Sequence, residues 1–166
     1  MGARNFLCGL AAAVLAGCAS YGAGLTPGQS SLTDVETIMG QPTAVTEEPG
    51  GGQTLWYSKL PYGRENYAAR IDPRGTLVAL EQTLTPQNIA KIRPNVSTTA
   101  DLMEILGPPY RQFKFPLKDR VAWEYPLRTS PELQTLFVEV TPDFIVRDVY
   151  ALHDRDRCGF SIGGIC

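Results

Sequence analysis

One segment of the chain occurs twice. LTPGQSSLTDVETIMGQP, residues 25–42, returns sixty-seven residues later as IRPNVSTTADLMEILGPP, residues 92–109. The copies agree at Pro27/Pro94, Ser30/Ser97, Asp34/Asp101, Ile38/Ile105, Gly40/Gly107 and Pro42/Pro109. A segment of this length gives about one identity by chance at ordinary residue frequencies. A repeat of this kind constrains the fold before anything else does, because the chain must be assembled from two similar units.

Each copy spells out a short helix. Ser31 and Thr98 are good N-caps, and Asp34 and Asp101 follow three places later, at the positive end of the helix dipole. Leu32, Val35, Ile38 and Met39 share one helical face, as do Leu102, Ile105 and Leu106. Gly40 and Gly107 fit a left-handed C-cap, and Pro42 and Pro109 prevent resumption. Helices of eight or nine residues are not stable alone in water, so each must dock on something.

Strand-like runs separated by Gly and Pro turns supply that partner. After the first helix come TAVTEE, TLWYSKL, ENYAARID and TLVALEQTL; after the second come YRQFKF, RVAWEYPL, LQTLFVEVT and FIVRDVYAL. The last two strands of each set are joined by a turn, at residues 72–75 and at residues 141–143. Trp56 and Trp123 are also sixty-seven apart, which predicts that the register survives into the sheet and drifts by two only at Pro73 and Pro142. TPQNIAKI reads as a short helix capped by Thr85, leading into the second copy. Asn95 stands where the first copy has Gly28 and tolerates the same backbone shape. The expectation is an α+β fold of two tandem units, each a short helix or helix pair packed on an antiparallel β-sheet.

The beginning of the chain addresses its location. Arg4 precedes an apolar run from Phe6 to Ala16, too short to span a bilayer but the right length for a secretory signal. Leu15-Ala16-Gly17-Cys18 resembles a bacterial lipobox, which implies cleavage before Cys18 and lipidation of Cys18. Ala19, where an inner-membrane lipoprotein would have Asp, favours the outer membrane by the same resemblance. Buried acyl chains would then hold the protein to the membrane. Residues 1–17 read as the signal peptide and 18–24 as a tether; losing Arg4 takes the formal net charge from −2 to −3. That balance argues against nucleic acid as a partner.

Of the four cysteines, Cys158 and Cys166 remain as the free pair, in the Gly-rich tail 154–166. In an oxidising compartment a disulfide between them is expected, whereas two cysteines at this spacing with a lone His153 do not suggest a metal or a redox site. No G-x-S-x-G, phosphate-cradling glycine loop or H-E-x-x-H occurs. The expectation is a non-catalytic protein with no cofactor and no small-molecule substrate.

The pattern L-x-P-G-x-S/T…V…L/M-G-x-P, followed by a Trp-centred strand, resembles the SmpA/OmlA (BamE-like) family of outer-membrane lipoproteins in a tandem form. The resemblance covers most of residues 25–152, divided into repeats at 25–84 and 85–153. It implies a scaffold or assembly factor facing the periplasm at the outer membrane, with outer-membrane proteins, and by extension the barrel assembly machinery, as partners. A doubled α/β unit is also similar to β-lactamase inhibitor protein, whose sheet surface binds an enzyme. That leaves open an alternative, a periplasmic protein-binding or inhibitor module acting on an enzyme or a cell-wall component. Trp56 and Trp123 are expected in the core, Tyr57 and Tyr125 on an exposed sheet face, and Tyr62 and Arg64 at an exposed loop tip. These four, Tyr57, Tyr62, Arg64 and Tyr125, are the expected partner contacts.

Overall fold

The structure, a computed structural model, describes residues 21–115 and 117–154. The lipidation position Cys18 and the Cys158–Cys166 pair lie outside the described residues.

Helix α1 (Leu32–Met39) precedes strands β1 (Ala44–Glu47), β2 (Gln53–Ser58), β3 (Asn66–Ile71) and β4 (Leu77–Gln82). A short helix α2 (Pro86–Ile89) then leads to α3 (Thr99–Leu106) and strands β5 (Arg111–Lys114), β6 (Val121–Leu127), β7 (Gln134–Val140) and β8 (Val146–His153). The strands form two antiparallel four-stranded sheets in chain order, β1 to β4 and β5 to β8. The fold is α+β in two units, each with its helix against one face of its own sheet.

The caps explain why such short helices hold. Ser31 Oγ accepts from the Asp34 N–H at 3.2 Å while the Asp34 carboxylate accepts from the Ser31 N–H at 2.8 Å. Thr98 and Asp101 repeat this reciprocal box at 3.2 and 2.7 Å. Upstream, the Gly28 N–H donates to Leu77 O at 2.8 Å and the Asn95 N–H to Val146 O at 2.7 Å. Both residues have positive φ, 80° for Gly28 and 64° for Asn95, so the substitution keeps the turn. Val35 and Met39 are buried from α1, and Leu102 and Leu106 from α3. Ile38 departs from expectation and is about half exposed, because α1 lies on its sheet along the Val35 and Met39 line.

The two tryptophans are not equivalent. Ala44 faces Trp56 across the first hairpin, but Arg111, sixty-seven residues on, faces Glu124. The closing bonds show why: Glu48 N–H to Gly52 O in the first hairpin, Phe115 N–H to Arg120 O in the second, whose loop is one residue longer. Because strand side chains alternate, one added residue reverses the faces of everything that follows in the strand. Trp56 therefore lies on the face away from α1, while Trp123 joins the α3-side core with Leu102, Leu106 and Val138. A second residue of drift enters at the next hairpin, since Trp56 faces Ala68 and Glu124 faces Phe137. Drift thus begins before the last turn of each unit.

The displaced Trp56 becomes part of the joint between units. Its ring lies against Gly107, where a Cβ would come within 2.5 Å of Cε3. Asn66 Nδ2 donates to Leu106 O at 3.0 Å and to Pro108 O at 2.9 Å, and Thr83 Oγ1 donates to Leu106 O at 2.8 Å. Tyr125 OH donates to Gly107 O at 3.0 Å. The carbonyls left over at the end of α3, which every helix must satisfy somehow, are satisfied here by the first sheet and by β6.

Candidate functional site

The anticipated contact residues separate sharply. Tyr57 is 2% exposed and Tyr125 fully buried, which corrects their expected place on an open sheet face. The reason is the alternation itself: Tyr57 shares a face with Leu55 under α1, and Tyr125, two residues after Trp123, shares the face under α3. Burial pushes the Tyr57 hydroxyl up to about 12, with the nearby Glu36 charge adding to it, and burial also raises Tyr125. Both are core residues.

Tyr62 is 95% exposed, but its neighbours in the same loop are held. Arg64 ion-pairs with Asp154 and donates to Leu127 O at 3.2 Å and Gln134 O at 3.1 Å. Arg128 reaches back to Gly63 O at 3.0 Å and to Glu65 at 3.0 Å. The loop that carries Tyr62 is thus a clasp between units, and Arg64 is occupied by it.

On the outer face of the second sheet the two buried acids are held by partners. Glu124 takes Arg111 at 2.5 Å, and Glu139 takes Arg120 at 2.8 Å and the Tyr150 hydroxyl at 3.2 Å. Burial, then the Glu139 charge and hydrogen bond, push Tyr150 up to about 12. Phe113, Phe137 and Tyr150 form a row of rings at 6.2 and 5.6 Å. Among the described residues no cluster of His, Cys, Asp or Glu is placed to hold a metal ion, and no helix is long and apolar enough to cross a membrane.

The concave site is elsewhere. A groove of about 460 Å³ runs between α3 and β5 in the second unit. α3 contributes Thr99, Ala100 and Met103 along one wall, and Gln112 and Lys114 of β5 line the other. Trp123, Val121 and Val140 make an apolar floor, because they point to the helix side of a sheet that α3 covers only in part. Phe144 of the β7–β8 turn and Asp119 and Arg120 of the β5–β6 hairpin rim the groove at one end of the sheet, where Val121 pairs with both Lys114 and Val140. An apolar floor with a few polar groups at its margins is the usual composition of a binding cleft.

Phe144 is the unexpected residue. It is 66% exposed and sits at φ 64° in the turn before β8, where the first unit has Gly75 at φ 83°. A bulky residue in this region costs about 1–2 kcal/mol relative to glycine. The backbone demands the conformation, since the Phe144 N–H donates to Thr141 O at 2.8 Å and its carbonyl accepts from the Thr99 N–H at 3.0 Å. Around it, the Thr141 hydroxyl and then Arg147 hold the Asp143 carboxyl below the usual range. Backbone strain of this kind clusters at binding and catalytic sites, which makes Phe144 a candidate contact. Set against this groove, the first unit has Glu36 for Met103, Glu47 for Lys114, Leu55 for Trp123 and Gly75 for Phe144.

Fold and site together define two α+β units joined through the end of α3, with an apolar cleft in the second. No family model matches the chain, and no curated protein matches it. Among solved structures, the crystal structure of a DUF4309 family protein (YjgB) from Bacillus subtilis is similar at 20% identity, covering 80% of this chain and 84% of that one, with a TM-score of 0.32. A likeness at that TM-score carries no argument about what this chain does.

Proposed function

We propose that the chain is a lipid-anchored outer-membrane lipoprotein, a tandem form of the SmpA/OmlA unit, that works without catalysis as a scaffold or assembly factor for outer-membrane proteins. Cys18 carries the anchor, and the groove beside α3 makes the protein contact. The observation that carries the reading is Phe144: the same turn in the first unit has the unstrained glycine, and only the second unit keeps an exposed aromatic over an apolar cleft. A scaffold needs a surface held at a fixed orientation, and the capture of the α3 terminus by Asn66, Thr83 and Trp56 supplies one. The alternative is a protein-binding or inhibitor module that uses the sheet surface, with contacts other than the buried Tyr57 and Tyr125.

Photo-crosslinking in intact cells tests this. A crosslinker at position 144 should capture an outer-membrane β-barrel protein or a barrel-assembly subunit, and one at position 75 should not. Equal capture from both positions, or none from 144, would overturn the groove as the contact. Cys18→Ser should release the protein from membranes; continued attachment would sink the lipoprotein assignment.

A further inference from the structure

We infer that the groove receives an extended apolar peptide segment, which joins the second sheet as a further strand alongside β5 and places an acidic residue next to Lys114. This rests on reading the groove as a protein contact, and it names the occupant.

The backbone supplies the first argument. β5 ends its sheet, and among the described residues no strand or loop pairs with its outer side. An edge strand presents a row of unpaired N–H and C=O groups, which an extended peptide satisfies by adding to the sheet. Gln112 and Lys114 lie on the helix side of β5, opposite Trp123 and Val121. A strand laid beside β5 would direct every second side chain to that same side. Those side chains would enter the space over Trp123, between the new strand and Met103, with Phe144 at the end.

Charge supplies the second. Lys114 is 70% exposed and has only Asp119, itself exposed, at 3.7 Å. Lys118 and Arg120 of the same hairpin both turn to Glu139, at 3.8 and 2.8 Å. Lys118 and Arg120 are thus drawn toward the outer face, and Lys114, with Asp119 beside it, is the base left at the groove margin. The matching stretch of the first unit, Glu47 to Gln53, has two acids and no base. The second edge is complementary to an acidic strand end, and the first would repel one.

The test uses the lipidated chain in phospholipid nanodiscs and fluorescein-labelled heptapeptides alternating Thr with Val, Phe and Val, with Glu at the first or last position. At least one should raise anisotropy on binding and slow amide exchange at residues 111–114. Lys114→Glu should weaken it about threefold, as expected for one exposed ion pair, and should favour the Lys-ended analogue instead. N-methylation of alternate peptide amides should abolish binding, since it removes the ladder and leaves the side chains. Equal binding of the N-methylated peptide would overturn strand addition in favour of a simple apolar cavity. Palmitate binding in place of every peptide would overturn the peptide class. If no heptapeptide binds while crosslinks from position 144 still capture a barrel protein, this inference fails and the proposed function stands; if both fail, both fall.

Discussion

The two units repeat one plan and divide its tasks. The first unit contributes the joint: Trp56, Asn66 and Thr83 grip the end of α3, and Arg64 clasps Asp154. The second contributes the cleft, with Trp123 as floor and Phe144 as lip. Gly40 and Gly107 show how far equivalent residues diverge. Both have φ near 80°, but a Cβ on Gly40 would meet open space and one on Gly107 would meet the Trp56 ring. Position in a repeat sets the backbone; the neighbour across the joint sets the side chain.

The largest expected effect follows from that pair. Gly107→Ala should cost about 4 kcal/mol, the backbone penalty plus overpacking against Trp56, while Gly40→Ala should cost about 2 kcal/mol for backbone alone. Urea midpoints check it, and equal losses would mean the joint is softer than its geometry. Asn66→Ala comes next, at about 2 kcal/mol, because the Leu106 carbonyl loses one of its two donors and the Pro108 carbonyl loses Asn66. It should also split one unfolding transition into two, since it loosens the joint and leaves each unit's own core intact.

Phe144→Gly should raise stability by about 1 kcal/mol and still weaken peptide capture, whereas Gly75→Phe in the first unit should lower stability by a similar amount and create no site. A loss of both stability and binding in Phe144→Gly would show that the ring is structural. Smallest is the response to acid. Asp34, held low by Ser31, and Asp72, held low chiefly by the Thr76 N–H, belong to the first unit; Asp143, held low by Thr141, belongs to the second. Carboxyls depressed below their ordinary value of 3.8 contribute stability in full above it, and that stability is lost as pH falls through their lower folded values. Amide exchange at about pH 5 and about pH 2.5 should show the first unit loosening more than the second. Asp34 and Asp143 are exposed and Asp72 is only partly buried, so the change is modest.

Local structure was legible because it is written in short-range chemistry. The capping boxes, the stop signals, all eight strands and the Asn95 turn follow from residues within a few places of one another. The tryptophan equivalence misled because identity at a spacing of sixty-seven hides a one-residue difference in the hairpin before it. Tyr125 was legible in principle: it stands two residues after a core Trp and so shares its face. The joint was not legible, since Asn66 and Thr83 bond to carbonyls about forty and twenty-three residues away. The groove left one faint signal, visible only when the copies are aligned by turn: Asp72-Pro73-Arg74-Gly75 against Thr141-Pro142-Asp143-Phe144, a turn that should end in glycine and does not.

The extra residue in the second hairpin has an evolutionary side. A duplicated domain begins with both copies under the same demands, and point substitutions release them only one site at a time. A one-residue change in how a hairpin pairs turns a whole strand over at once, although the stretch from Ala44 to Trp56 is as long as that from Arg111 to Trp123. It puts a tryptophan at the seam in one copy and at the pocket in the other without changing the residue or the spacing. Copies of this architecture should therefore be compared by hairpin register before residue identity, because the register, rather than the repeated tryptophan, sets the role each copy can take.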